Sequence, residues 1–170
     1  MFNGPVPEEE EKKVFKVLEK LGISFKIHRH PPVFTVEEAA RHWSGLEGAH
    51  CKNLFLRNKK GNRHYLVILE CSKKIDLQKF CRKLGEDRFS FASAGRLQKY
   101  LGLEPGAVSP FGLINEKARE VRVIIDEDLK AYSFVNFHPN DNTATVTLSF
   151  KDFQKFLDRT GNPVYYYKLS

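Results

Sequence analysis

Two short, strongly apolar segments joined by a polar turn constrain the fold of this chain most. They run over Cys51–Arg57 and Tyr65–Cys71, with turn residues at positions 58–62 between them. Short apolar runs bounded by turn residues are typical of strands, so the pair predicts a β-hairpin. The longest uninterrupted apolar run, Tyr65–Leu69, has five residues. A membrane-spanning helix needs about 20, and the sequence therefore excludes one.

Helical and strand patterns alternate along the rest of the chain. Capping boxes at Thr35–Glu38 and Ser149–Asp152 indicate two of the helix starts. We predict helices that begin near Pro7, Thr35, Asp76, Ala94 and Ser149, the second reaching Trp43, and strands over Ile23–His28, Phe89–Ala92, Val121–Ile125, Ser133–His138, Thr143–Leu148 and Val164–Leu169. Strands outnumber helices and are joined both by hairpins and by helices. This favours a single domain over residues 1–170 with a mixed sheet, of the α+β or α/β class.

The positive charge of the chain is concentrated in one segment. The whole sequence carries a net charge of +7, and residues 57–99 alone carry twelve basic and four acidic residues. A concentrated basic region suits a polyanionic partner, because each phosphate that it neutralises releases counterions. A solvated surface on a basic protein is the alternative explanation.

The cysteines and the N-terminus bear on the cellular compartment. The three cysteines show no CxxC spacing, which excludes a disulfide framework and a four-cysteine zinc site. Thiols used singly suggest a reducing, cytoplasmic setting, and Cys81 lies on the apolar side of a helical pattern. The N-terminal residues lack the basic and apolar regions of a secretory signal, so we expect none.

No common catalytic motif is present. The sequence lacks GxSxG, GxGxxG, HExxH and GxxxxGK[ST]. His28 and His30 stand two residues apart on a predicted strand, so they would share a face and could share a metal ion. No nearby residue completes such a site, and solvent-facing histidines are the favoured interpretation.

Three short segments have the residue types that a binding site needs. Lys52 and Asn53 begin an otherwise apolar strand, where the ammonium group suits a phosphate or carboxylate; an ordinary strand-edge lysine is the alternative. Glycines flank the loop Gly106–Gly112, which would let backbone amides approach a ligand or serve turn geometry alone. His138 ends a hairpin strand, where it either rims a pocket or lies on the surface.

Four motifs in this order and spacing resemble those of the YbaK-like aminoacyl-tRNA deacylases. More closely, they resemble the free-standing prolyl-tRNA synthetase-associated editing domains called PrdX or ProXp-ala. The resemblance covers about residues 8–168, and its motifs are Pro31–Ala39, Cys51–Leu56, Leu103–Gly112 and Asn136–Thr143. It implies a mixed, mostly antiparallel sheet covered by helices, the editing-domain fold.

The implied activity is hydrolysis of alanine mischarged onto proline tRNA, acting in trans. The resemblance implies that Lys52 and Asn53 lie beside the 3′-terminal adenosine and its phosphate, that Gly106 begins the loop around the aminoacyl group, and that His138 lines the amino-acid pocket. The other positions implied to bind substrate are Thr35, Ala107, Val108, Ser109, Phe111 and Gly112. Cys-tRNA(Pro) as the substrate, and a non-catalytic module that binds tRNA or synthetase, are the alternatives.

The residues themselves are compatible with this activity. An aminoacyl ester is already activated, so positioning a water molecule can suffice without a protein nucleophile, a metal or a cofactor. The basic segment would contact the acceptor stem and 3′ end of proline tRNA, with Arg88, Arg96 and Lys99 as candidates. Prolyl-tRNA synthetase and an elongation factor are the candidate protein partners, and no membrane is expected.

Overall fold

A computed structural model describes residues 7–33, 35, 37–38, 41–42 and 45–169. Four of the nine residues of the helix expected from Thr35 to Trp43, at positions 36, 39, 40 and 43, lie outside the described residues. The first half of its capping box is confirmed, because the Thr35 hydroxyl accepts a hydrogen bond from the Glu38 N–H at 3.0 Å. Among the described residues, none of the helices has both the length and the apolarity needed to cross a bilayer.

Within the described residues, eight strands form one mixed sheet with helices packed on it. The helices are α1 (Pro7–Lys20), α2 (Leu77–Lys83), α3 (Ala94–Leu101) and α4 (Phe150–Thr160), with 3-10 turns at Pro110–Asn115 and Glu127–Ala131. The strands are β1 (Phe25–Arg29), β2 (Ala49–Asn58), β3 (His64–Glu70), β4 (Phe89–Phe91), β5 (Arg122–Asp126), β6 (Phe134–Phe137), β7 (Ala144–Ser149) and β8 (Val164–Tyr167).

The strand order is β1-β7-β6-β2-β3-β5-β8, and β4 pairs with β2. The pairs β1–β7, β6–β7, β2–β3 and β2–β4 are antiparallel, whereas β2–β6, β3–β5 and β5–β8 are parallel. The mixed, mostly antiparallel sheet is therefore confirmed, and β8 lies at one edge of it.

The β2–β3 hairpin contributes to an apolar cluster on each face of the sheet. Phe55 and Ile68 pack in the first cluster with side chains of α1, α3 and α4. Leu56 and Leu69 pack in the second cluster, beneath α2 and together with Cys81. Because side chains alternate between the two faces of a strand, both faces of this hairpin are buried, which explains why its sequence is so apolar.

Helix capping matches the sequence closely. Asp76 accepts from the backbone N–H groups of Gln78 and Lys79, and Ser149 accepts from that of Asp152. Gly102 ends α3 in the left-handed conformation, with a φ of 66°. Such side-chain acceptors satisfy N–H groups that a helix start leaves without partners.

The prediction that Gly106–Gly112 is a loop is partly wrong, because a 3-10 helix occupies Pro110–Asn115. Pro110 suits a first helical position, since proline fixes φ near the helical value and lacks an N–H. Ser109 caps this turn by accepting from the N–H of Phe111 at 3.1 Å.

One edge of β2 is interrupted by an opening. On one side, β3 pairs with β2 over residues 51–57. On the other side, β6 pairs only with residues 49–50 and β4 only with residues 56–58. Within the described part of the chain, no strand pairs with residues 51–54 on that side. The predicted Lys52–Asn53 segment lies in this opening.

Candidate active site

The segment Val108–Ser109 crosses the opening between β2 and β6. The Asn53 side chain donates from Nδ2 to the carbonyl oxygen of Val108 at 3.3 Å. The Ser109 hydroxyl donates to the carbonyl oxygen of His138 at 2.6 Å. Three of the segments singled out in the sequence are therefore joined by two hydrogen bonds.

Lys52 and Asn53 project to opposite faces of the sheet. Asn53 alternates with Cys51 and Phe55, which pack in or against the first cluster. Lys52 alternates with Leu54, which packs against the second cluster, and this follows from the two-residue period of a strand. The two side chains therefore leave β2 in opposite directions at the opening.

His138 lies on the same face of the sheet as Lys52. In the parallel pairing of β2 with β6, the last partners are His50 and Asn136. Lys52 follows His50 by two residues, and His138 follows Asn136 by two residues. Because side chains along a strand alternate between the two faces, residues two apart point to the same face. Strand alternation continued from the last paired residues thus puts Lys52 and His138 on the same face, beyond the point where β2 and β6 stop pairing.

The hydrogen bond of His138 defines its tautomer. Its Nδ1 lies 2.9 Å from the carbonyl oxygen of Ala144, and a carbonyl can only accept, so Nδ1 carries the proton. The neutral ring then has its lone pair on Nε2. Burial lowers the pKa of His138, and the charge of His30 acts in the same direction, whereas the Ala144 bond and Asp141 oppose it.

The expectation that His28 and His30 face solvent is wrong for His30, which is 9% exposed. Its Nδ1 donates to the carbonyl oxygen of Pro31 at 2.8 Å, and its Nε2 lies 3.0 Å from the Thr145 hydroxyl oxygen, within hydrogen-bond distance. Its ring lies 6.0 Å from that of His138, centroid to centroid. Among the described residues, no group of three or more His, Cys, Asp or Glu side chains could hold a metal ion.

The first half of the loop Gly106–Gly112 lies at the opening. Gly106 has a φ of +92°, which residues with a Cβ rarely adopt, and it is exposed. Ala107 is buried, Val108 is half-buried, and Ser109 is fully buried. The loop therefore enters at an exposed turn and is fixed at Val108 and Ser109.

The second half of the loop belongs to the core. Phe111 is fully buried, with its ring edge-on to those of Phe137 and Phe156. A Cβ added to Gly112 would lie 2.7 Å from Leu103 Cδ1, so this glycine allows close packing. The structure thus places Phe111 and Gly112 behind the site, where they support the loop.

Thr35 is exposed, and its hydroxyl caps the turn at Glu38. The preceding residues reach the turn between β6 and β7, because Asn142 donates to the carbonyl oxygen of Val33 and the His30 N–H donates to that of Thr143 at 3.0 Å. The first and last motifs of the resemblance are therefore neighbours in space.

The three candidate RNA-binding cations lie in two places. Arg96 and Lys99 lie on α3, where Arg96 Nη1 contacts the Gly61 carbonyl and His64 Nε2, each at 3.1 Å. Burial and the charges of Arg96, Arg57 and Lys99 lower the pKa of His64 to about 4. A strong positive field therefore surrounds the end of the β2–β3 hairpin.

Arg88 is not part of this group. It lines a separate cavity of about 350 Å³ beside α2, together with Arg82 and Phe89. Phe89 packs in the second cluster, so this cavity lies on the other side of the sheet from α3.

Two polar residues of the site had no clear signal in the sequence. His30 could be found only by knowing that its strand pairs with β7. Asn140, in the turn after His138, is 5% exposed, and asparagine in a turn-rich segment normally indicates only a turn.

Comparison with known proteins identifies the family. The sequence profile of the aminoacyl-tRNA editing domain matches residues 30–156. The chain belongs to this family. All the site residues considered above fall within the matched region, so the resemblance seen in the four motifs is confirmed.

Individual relatives agree with this assignment. The chain is 46% identical over 151 residues to the prolyl-tRNA editing protein ProX of Acetoanaerobium sticklandii, covering 88% of this chain and 91% of the relative. It is 33% identical over 156 residues to prolyl-tRNA synthetase associated domain-containing protein 1 of Danio rerio, covering 91% and 84%. The crystal structure of a candidate trans-editing enzyme for prolyl-tRNA synthetase superposes with a TM-score of 0.69 at 25% identity, covering 91% and 94%. As a member of the editing family, this chain is an enzyme, an aminoacyl-tRNA deacylase.

Proposed function

We propose that this protein hydrolyses the ester that joins alanine to tRNA(Pro), acting in trans on tRNA charged in error. The observation that carries the proposal is the convergence of Asn53, Val108, Ser109 and His138 at the opening beside β2. The ProX relative, named as a prolyl-tRNA editing protein, supports tRNA(Pro) as the tRNA.

The proposed reaction is attack of water on the ester carbonyl carbon. The bond from that carbon to the ribose oxygen then breaks, and a proton passes to the leaving oxygen. Cys51 is unsuited as a nucleophile, because burial raises its pKa and keeps it a thiol. Water positioned near the neutral Nε2 of His138 accounts for the chemistry without a covalent intermediate.

Lys52 is assigned an electrostatic role. Its ammonium group would meet the terminal phosphate or the 3′-terminal adenosine. The same charge acts on Glu70: burial alone would raise the pKa of Glu70, but hydrogen bonds from Ser72 and Cys71 and the charge of Lys52 lower it. The Lys52 charge therefore lies close enough to the Glu70 carboxylate to act on its pKa.

Selectivity is proposed to rest on exclusion by size. A synthetase site for proline cannot strongly reject the smaller alanine, because lost methylenes are worth only about 1–3 kcal/mol. A second site can admit alanine and exclude the pyrrolidine ring. Such a site needs a rigid lining. The hydrogen bonds from Asn53 to the Val108 carbonyl and from Ser109 to the His138 carbonyl supply this rigidity, because they fix the loop.

The cations around His64 are proposed to bind the RNA backbone. Arg57 lies four residues after Asn53 on β2, a distance of about 13 Å along a strand. Arg57, Arg96 and Lys99 are thus placed to meet the acceptor end once its terminus enters the opening. Arg88 remains a proposed contact on the opposite side.

The experiment is a deacylation assay with Ala-tRNA(Pro), Pro-tRNA(Pro) and Cys-tRNA(Pro). We expect rapid loss of alanine and sparing of proline, and Lys52→Ala should lose most of the activity whereas Lys52→Arg should keep part of it. Lys117→Ala, outside the site, is the control. Selective cleavage of the cysteinyl ester would contradict the choice of alanine, and salt-sensitive tRNA binding without any turnover would show a non-catalytic module.

A further inference from the structure

Asn140 is a buried amide without hydrogen-bond partners. It lies in the turn that joins β6 to β7, two residues after His138, and is 5% exposed. Neither its Oδ1 nor its Nδ2 has a partner among the residues that the structure describes. Buried polar groups in native proteins are almost always paired, so an unpaired one requires an explanation.

The backbone of Asn140 is also in an unfavourable conformation. Its φ is +61°, and the other described non-glycine residue with a positive φ is Arg119, at +58°. Arg119 gains from its position, since its guanidinium donates to the carbonyl oxygens of Leu113 and Glu116. The side chain of Asn140 gains no such bond within the described protein, which is the pattern of a residue kept for a ligand.

The asparagines on either side of Asn140 each bond at least one atom of their amide. Asn136, at the end of β6, donates to the carbonyl oxygens of Glu47 and Ala49, and its Oδ1 accepts from the Thr147 hydroxyl. Asn142 donates to the carbonyl oxygen of Val33, whereas its Oδ1 lacks a partner within the described residues. Asn140 differs from both, because neither atom of its amide is bonded within the described residues.

A second unpaired atom lies at the same site. Asn53 Oδ1 is buried and lacks a partner within the described residues, although its Nδ2 is bonded to Val108. The Val108–Ser109 segment joins Asn53 to His138, and Asn140 follows His138 by two residues. Asn53 and Asn140 thus lie on the two segments that Val108–Ser109 joins at the opening, where the substrate is proposed to bind.

We propose that Asn140 is a substrate-recognition residue that pairs its amide with the 3′ end of the aminoacyl-tRNA. An asparagine side chain presents an acceptor beside a donor, so its complement is a donor beside an acceptor. The 3′ end offers this chemistry twice: at the edge of the terminal adenine, and at the α-ammonium group next to the ester carbonyl. This inference rests on the proposed function.

The test uses Asn140→Gly, because glycine adopts a positive φ without strain. We expect KM for Ala-tRNA(Pro) to rise about tenfold, the loss expected for one well-made pair of hydrogen bonds. The thermal midpoint should stay equal or rise, since strain and an unpaired amide are both removed. Unchanged KM together with a lowered midpoint would overturn the proposal, because that result describes a purely structural residue.

Arg119→Gly is the matched control, since it has the same backbone conformation but a bonded side chain. It should lower the midpoint and leave KM unchanged. A second substrate distinguishes the two possible partners of Asn140, the adenine edge and the aminoacyl group. In this substrate the terminal adenosine is replaced with purine riboside, which lacks the 6-amino group. If adenine is the partner, this change raises KM for the wild type but not for Asn140→Gly; if the aminoacyl group is the partner, both proteins show the same small change.

Failure of the proposed function gives a different result. A wild-type protein that cleaves none of the three esters removes the proposed activity, whatever Asn140 does. Affinity is then measured with an acceptor minihelix that carries alanine through a stable amide bond. About tenfold weaker binding by Asn140→Gly supports the recognition role, and equal binding or no binding by both proteins overturns it.

Discussion

Ser109 and His138 are joined by a hydrogen bond of 2.6 Å from the Ser109 hydroxyl to the His138 carbonyl oxygen. Ser109 is fully buried, and its hydroxyl oxygen also accepts a hydrogen bond from the Phe111 N–H. One side chain therefore fixes the loop after α3, the following 3-10 turn and the end of β6 relative to one another. The shape of the opening beside β2 depends on this contact.

Ser109→Ala should damage the site more than the fold. Removing the hydroxyl leaves the His138 carbonyl without this donor, which costs about 1–3 kcal/mol of unfolding free energy. The loop is also released, and a small displacement of positioned groups lowers kcat/KM by about tenfold or more. Denaturant titration and the deacylation assay measure the two effects.

Ser149→Ala is the control for Ser109→Ala. It removes the cap of α4 and should cost about 1 kcal/mol with no change in kcat/KM. If both variants lost activity in proportion to stability, the special role of Ser109 would be contradicted.

Activity should fall in acid because of His138. Burial lowers its pKa below the ordinary value of 6.5, so the ring is mainly neutral at pH 7 and becomes protonated at a lower pH than an ordinary histidine. We expect kcat/KM to be constant above about pH 6.5 and to decline below it. His30→Gln should move the decline to higher pH, because the charge of His30 helps to lower the pKa of His138.

A pH–rate profile from pH 4.5 to 8 measures this, with circular dichroism at each pH to confirm folding. The groups that act on His138 from neighbouring elements are His30 and, in the opposite direction, Asp141. A midpoint at or above 6.5 in the wild type would argue against a neutral His138 in the reaction.

Stability should also decrease as the pH falls from about 6.5 to about 4. His64 has its pKa lowered to about 4 by burial and by Arg96, Arg57 and Lys99. Between these two pH values the unfolded chain binds a proton that the folded protein does not, so unfolding is favoured. At 1.36 kcal/mol per pH unit, His64 accounts for at most about 3 kcal/mol.

His64→Gln tests this contribution, because glutamine does not titrate. Urea unfolding at pH 7 and pH 4.5 should show a smaller difference for the variant than for the wild type. A residual difference is expected, since the pKa values of His50 and His138 are lowered as well. An equal difference in both proteins would mean that His64 titrates normally in the fold.

Arg57 and Lys99 should contribute to the salt dependence of RNA binding. Replacing both by glutamine removes up to two phosphate contacts, so the slope of log K against log salt should fall by about 0.7 to 0.9 per contact. KM should rise while kcat is unchanged. Arg96 is less suitable for this test, because its guanidinium also holds the Gly61 carbonyl and His64.

The control for this charge effect is Lys117→Gln with Lys151→Gln, which removes the same charge elsewhere on the surface. Only the general electrostatic attraction should change in that variant. Equal slopes for the two double variants would show that the cations near His64 have no special contact with RNA.

The sequence predicted most of the local structure. The β2–β3 hairpin, the caps at Asp76 and Ser149 and the end of α3 at Gly102 follow from patterns within a few residues. The opening beside β2 could not be predicted in this way. It exists because β6 and β4, which are far apart in sequence, pair with opposite ends of the same edge of β2 and leave the residues between them unpaired.

The site was predicted as a set of residues but not as an arrangement. The opposite directions of Lys52 and Asn53 follow from strand alternation once β2 is known. The burial of His30 and the core position of Phe111 depend on partners distant in sequence. Local patterns carry no information on such contacts, so single residues could be named without their neighbours.

The interrupted edge of β2 has a consequence for the behaviour of the protein in solution. Unpaired strand edges invite pairing with another chain, and proteins normally protect them. Here the described structure covers residues 51–54 with the Val108–Ser109 segment instead of a strand. The proposed entrance for substrate therefore coincides with a strand edge that only a loop protects, and we expect changes that free this loop to lower solubility together with activity.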